Sequence, residues 1–74
     1  MNIPIERMGK DTFRVGGREV RTLTMGADIF SERTLVYDME TEEYLGEFYG
    51  SPPPFPGIDR TFREDLARVV YGRE

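Results

Sequence analysis

Residues 34–50 read TLVYDMETEEYLGEFYG, two runs rich in Leu, Val, Tyr and Phe on either side of an acidic stretch, Asp38-Met39-Glu40-Thr41-Glu42-Glu43. Two such runs around a polar turn are the signature of a β-hairpin. With Asp38 and Glu43 flanking the loop, Tyr37 pairs with Tyr44, Val36 with Leu45, Leu35 with Gly46 and Thr34 with Glu47. This register puts Leu35, Tyr37, Tyr44 and Phe48 on the face expected to be buried. Val36, Leu45 and Tyr49 then share the other face with Asp38, Glu43 and Glu47; a one-residue slip exchanges the two. The loop follows the D-x-x-T-G turn pattern, in which Asp accepts amide hydrogen bonds and Gly takes the left-handed conformation. Here Glu42 stands where the glycine belongs.

Upstream, Phe13-Arg14-Val15 and Arg18-Glu19-Val20 flank Gly16-Gly17. A Gly-Gly pair adopts positive φ without steric cost, so residues 12–25 are predicted to form a hairpin in which Phe13 faces Val20 and Arg14 faces Glu19. Leu23 and Met25 are out of step with Phe13, Val15 and Val20, which implies a bulge near Arg21 or Thr22, or a strand buried on both faces. Ile3 and Ile5 alternate around Pro4 as in an edge strand, and Met8 to Asp11 read as a turn. Ser31 to Arg33 are compatible with a single helical turn.

Downstream, residues 51–57, SPPPFPG, form a stiff proline strap with polyproline II spacing, expected to cover a sheet edge. Residues 61–71 are predicted to be helical. Thr61 and Glu64 match a T-x-x-E capping box, Phe62, Leu66, Val69 and Val70 share one stripe, and Gly72 stops the run. A helix this short is marginal alone and must dock on the sheet. The expected fold is therefore α+β, a small antiparallel β-meander of four to five strands with one C-terminal helix packed on a face. An SH3-like small barrel plus helix is the alternative.

Seventy-four residues make one small domain, residues 1–74, with a thin core. Cysteine and histidine are absent. That removes thiolate chemistry, disulfides, the commonest general base and the commonest zinc ligands. Ser31 and Ser51 lie in no nucleophile motif, and Gly16-Gly17 lacks the remainder of a phosphate loop. Asp38, Glu40 and Glu42 alternate as in a calcium loop, but Glu43 stands where the invariant glycine is required and Tyr49 where the bidentate Glu belongs. The expectation is a non-enzyme with no cofactor and no metal. No apolar run approaches the ~20 residues that span a bilayer. The start, MNIPIERMGK, lacks the apolar stretch of a secretory signal, so the expected location is the cytoplasm.

The net charge of −4 originates in residues 27–50, which carry one basic and seven acidic side chains while the rest of the chain is slightly basic, and no base lies between Arg33 and Arg60. The candidate partner-binding residues are Asp38, Glu40, Glu42, Glu43, Glu47 and Tyr49. Carboxylates steer a basic partner and aromatic rings add contact area at low entropic cost. The leading expectation is a small acidic inhibitor or regulator that docks this hairpin on a basic, nucleic-acid-binding surface of another protein; phage-encoded anti-defence inhibitors offer the analogy. Two further classes stand beside it. One is a nucleic-acid-binding module using Arg14, Arg18 and Arg21 of the first hairpin, less favoured because acidic residues interleave with them. The other is a self-associating assembly subunit whose thin core is completed by a second copy.

Overall fold

The computed structural model describes residues 3–28 and 30–72. Five strands, β1 (Ile5–Arg7), β2 (Thr12–Val15), β3 (Arg18–Met25), β4 (Arg33–Asp38) and β5 (Tyr44–Tyr49), precede one helix, α1 (Arg60–Tyr71). All neighbours pair antiparallel in the order β1-β2-β3-β4-β5, an open meander with edges at β1 and β5 rather than a closed barrel. The helix covers one face.

The first hairpin forms in the predicted register, with Phe13 opposite Val20 and Arg14 opposite Glu19. Only Gly16 takes positive φ, 65°, as a type II′ turn requires of its first central residue. That turn fixes Phe13, Val15 and Val20 on one face, where all three are fully buried. The expected bulge in β3 is absent. Its ladder to β4 runs without a break from Val20↔Asp38 through Thr22↔Val36 to Thr24↔Thr34. Leu23 and Met25 simply lie on the opposite, open face, about half exposed. Because the ladder is unbroken, the parity of the first hairpin carries into β4, and Thr34, Val36 and Asp38 become its buried residues.

In β4 the central hairpin therefore buries the face opposite to the expected one, and of the expected set Leu35, Tyr37, Tyr44 and Phe48 only Phe48 is buried. Tyr37 does pair with Tyr44, but the register then shifts and Val36 meets Gly46, Leu35 meets Glu47, and Thr34 meets Phe48. Leu45 is the extra residue of a bulge in β5. Leu45 and Phe48 are three apart and would face opposite ways in a regular strand; the bulge lets both approach the core, Phe48 fully and Leu45 at its rim. Gly46, at φ 151°, sits under the helix, where a Cβ would lie 3.1 Å from Val69 Cγ1.

The helix begins one residue earlier than predicted, and its cap is different. Asp59 is the N-cap, its Oδ1 accepting the Phe62 amide at 2.8 Å, while Glu64 pairs with Arg60 instead of closing a box with Thr61. Aspartate caps at least as well as threonine. Phe62, Leu66 and Val70 are buried as the stripe predicts. Phe62 stands between Phe13 and Phe48, with ring centroids 5.2 and 5.5 Å away. At the far end the Tyr71 hydroxyl donates to the Val15 carbonyl at 2.8 Å. Residues 31–33 are not helical. Asp28 Oδ1 instead accepts the amides of Phe30 and Ser31, and Arg33 opens β4.

The strap reaches an edge strand but makes no backbone ladder with it among the described residues. It leaves β5, is bent at residues 54–56, where the Gly57 amide bonds the Pro54 carbonyl, and reaches β1. There Arg7 binds it. One guanidinium donates to the carbonyls of Pro53 (2.7 Å) and Gly57 and, on the turn side, to Gly9 (3.3 Å) and Lys10 (2.8 Å). It also lies 5.0 Å from the Phe13 ring centroid and 5.5 Å from that of Phe55. Replacing Arg7 by Ala is expected to cost roughly 2–4 kcal/mol, read as a melting-temperature drop of at least ~10 °C. Lys should rescue only part of it, lacking the planar fork. A drop below ~3 °C would show that the strap is held by other contacts.

Candidate functional site

The acidic turn is built as its sequence suggests. Asp38 Oδ1 accepts the amides of Glu40 (2.8 Å) and Thr41 (2.9 Å), and the Glu42 amide bonds the Asp38 carbonyl at 2.7 Å. Glu42 takes φ 65°, the left-handed position that glycine normally fills, and no other described non-glycine residue does so. Asp38 itself is buried, its Oδ2 2.7 Å from Arg18 Nε. The Thr41 amide and then Arg18 hold its carboxyl down from an ordinary 3.8 to about 2. Of the six acidic-hairpin residues singled out in the sequence, Asp38 is thus engaged within the fold. Glu40, Glu42 and Glu43 project from the hydrogen-bonded turn, exposed, and none is in an ion pair among the described residues.

Glu47 and Tyr49 belong to the open face of the sheet. Three cross-strand rows make up the centre of that face: Arg21, Tyr37 and Tyr44; Leu23, Leu35 and Glu47; Met25, Arg33 and Tyr49. Tyr37 and Tyr44 meet edge to face at 5.6 Å. The Tyr44 hydroxyl donates to Glu47 Oε1 at 2.9 Å, and this bond raises the tyrosine's pKa above its usual value. Arg33 reaches the other Glu47 oxygen only at 3.9 Å. Tyr44 is 50% exposed and Tyr49 79%. Tyr, Met and Arg are the residues that protein interfaces favour, and this grid contains no Lys. The sequence reading placed Tyr44 and Leu35 in the core and explained Leu23 by a bulge or a doubly buried strand; carrying the Phe13–Val20 parity through an unbulged β3 puts all three on the open face, with Tyr44 and Leu23 exposed and Leu35 half-buried.

The basic set of the first hairpin is largely consumed. Arg14 lies 3.1 Å from both Glu6 and Glu19, and Arg18 bonds Asp38. Of the three, Arg21 alone is in no ion pair among the described residues. No group of three carboxylates converges to hold a metal among the described residues, and no described helix is long and apolar enough to cross a membrane. The chain matches no protein-family model, no curated protein and no solved structure.

Relieving the left-handed glutamate, Glu42→Gly, should raise stability by about 1 kcal/mol, or about 4–8 °C in melting temperature; a fall would contradict this account of the turn. For Asp38 the folded pKa lies below the unfolded one. The stabilisation from its ionised form is therefore complete above pH ~4 and lost as the pH falls through about 2. Asp38→Asn should lower stability at neutral pH and flatten that acid limb. Thermal melts from pH ~6 down to pH ~2 measure it, and an acid limb as steep as that of the parent protein would count against the assignment.

Proposed function

We propose that this protein is a non-enzymatic binding module that docks its acidic hairpin on a basic surface of a partner protein. The reading includes a specific consequence. A surface basic enough to take Glu40, Glu42, Glu43 and Glu47 is of the kind that otherwise holds nucleic-acid phosphates, so docking would occlude it and inhibit the partner.

The supporting observation is the contrast within one hairpin. Asp38 is spent on stiffening the turn, while the three exposed carboxylates beside it have no internal partner among the described residues. The turn backbone is held by its own hydrogen bonds, so it need not be ordered on binding, and a cluster of like charges steers association with a basic partner. The turn also runs straight into Tyr44, Glu47 and Tyr49 on the open face, so charge and aromatic area form one surface. Candidate bases and nucleophiles are sparse throughout: the chain has no His, no Cys and one Lys.

Reversing Glu42, Glu43 and Glu47 together to Lys is expected to abolish capture of the partner from lysate of cells carrying the gene, while the circular-dichroism spectrum stays that of the folded protein. Capture by the parent protein should weaken as salt is raised, because exposed charges are screened. Equal capture by the charge-reversed and parent proteins would remove the proposal.

A further inference from the structure

The outer edge of β5 is a second feature of the same hairpin, and its chemistry differs from that of the turn. Among the described residues β5 pairs only with β4. The Gly50 amide bonds the Glu32 carbonyl at 2.9 Å, so Glu32 and Gly50 form a hydrogen-bonded pair. In an antiparallel ladder such pairs alternate with pairs whose backbone groups point away. The neighbouring pairs Arg33↔Tyr49 and Leu35↔Glu47 follow Thr34↔Phe48 in that alternation. Glu47 and Tyr49 therefore turn their amides and carbonyls outward, and no described group hydrogen-bonds them. The opposite edge is guarded: β1 has three residues, follows Pro4, and its Arg7 is turned into the fold. β5 contains neither Pro nor Lys, the residues that usually blunt an edge. Its bulge at Leu45 interrupts the edge only at its start, and from Gly46 to Tyr49 the pairing with β4 is unbroken, with positive φ at Gly46 and again at Gly50 just past the strand.

The two rims of this edge differ. On the open side stand Tyr44, Glu47 and Tyr49, with Glu43 at the turn. On the helix side stand the partly buried Leu45 and Val69 at the border of the core. A strand laid along β5 sends alternate side chains to the two rims. Cations suit the first rim, between a carboxylate and tyrosine rings, and apolar or small residues suit the second.

We infer that the edge of β5 is a strand-addition site for an extended segment of the partner in which Arg or Lys alternates with apolar or small residues. This rests on the acidic-docking reading and adds backbone pairing to it. A second copy is the weaker occupant, since each chain carries a net charge of −4 concentrated in this hairpin.

The test uses the full chain labelled with nitrogen-15 and three capped peptides: Arg-Thr-Arg-Val-Arg-Thr-Arg, its counterpart with Glu for every Arg, and the Arg peptide N-methylated at alternate amides. Saturation with the Arg peptide is expected to slow amide hydrogen exchange at Glu47 and Tyr49 at least ~10-fold. Phe48, already bonded to β4, should hold its rate, and the other two peptides should protect neither position. Arg-peptide shifts confined to residues 40–43, without protection at Glu47 and Tyr49, overturn strand addition and leave acidic docking standing. Equal protection by the Glu peptide overturns the acidic reading and the basic-segment assignment together, leaving only a strand-accepting edge. Protection in the free protein that grows with its concentration shows a second copy on the edge and overturns the proposal.

Discussion

The closure of this small domain depends on the environment of one guanidinium. Arg7 lies at the end of a three-residue edge strand, yet it donates to carbonyls in the β1–β2 turn and in the proline strap, between the rings of Phe13 and Phe55. No carboxylate among the described residues takes part. A planar cation with a rigid fork of donors meets several converging carbonyl dipoles at once. The consequence reaches the helix. A twelve-residue helix is marginal in water, and it is returned to the sheet by a connection that Arg7 ties down between its ends. Tying the strap to β1 shortens the loop that must be closed before Phe62 enters between Phe13 and Phe48.

A second constraint, parity, travels the other way through the sheet. The Gly16-Gly17 turn commits Phe13, Val15 and Val20 to one face. Side-chain direction in a strand has a period of two, and β3 is unbroken, so β4 has no independent choice. Thr34, Val36 and Asp38 follow onto the core side, and Leu35 and Tyr37 are left on the open side. Burying Asp38 is tolerable because the turn amides and Arg18 satisfy its carboxylate, and the turn takes its shape from the same bonds. β5 meets its own conflict, between Leu45 and Phe48, with a bulge. The open face with its tyrosines is thus the by-product of a parity set two strands away.

These two constraints explain why the candidate surface is so divided. The carboxylate nearest the core is structural, and those farther along the turn are exposed. The strand that follows has hydrogen-bonding groups to offer only where its bulge has ended. The left-handed Glu42 places a charge where glycine would be easier to hold, which keeps a carboxylate at the tip of the turn at some cost in stability.

Much of the fold was legible in local chemistry. Gly16-Gly17 specified its hairpin and register, Asp38-x-x-Thr41 its turn, and the spacing of Phe62, Leu66 and Val70 the helix stripe, because each of these depends on residues close in the chain. The acidic, base-free stretch from Arg33 to Arg60 was visible in the same way. Three things belonged to the tertiary structure alone. Which face of the central hairpin is buried depended on a ladder inherited from β3, and Val36 and Leu35 are equally good core residues in isolation. That the second oxygen of Asp38 is taken by Arg18, twenty residues away, depended on the β3–β4 pairing. The course of the strap depended on Arg7, whose partners at Pro53 and Gly57 lie 46 and 50 positions away. Local sequence determines the conformation of a turn or a helix through nearby backbone and side-chain bonds; pairing between distant segments is decided only when the whole chain competes for one core.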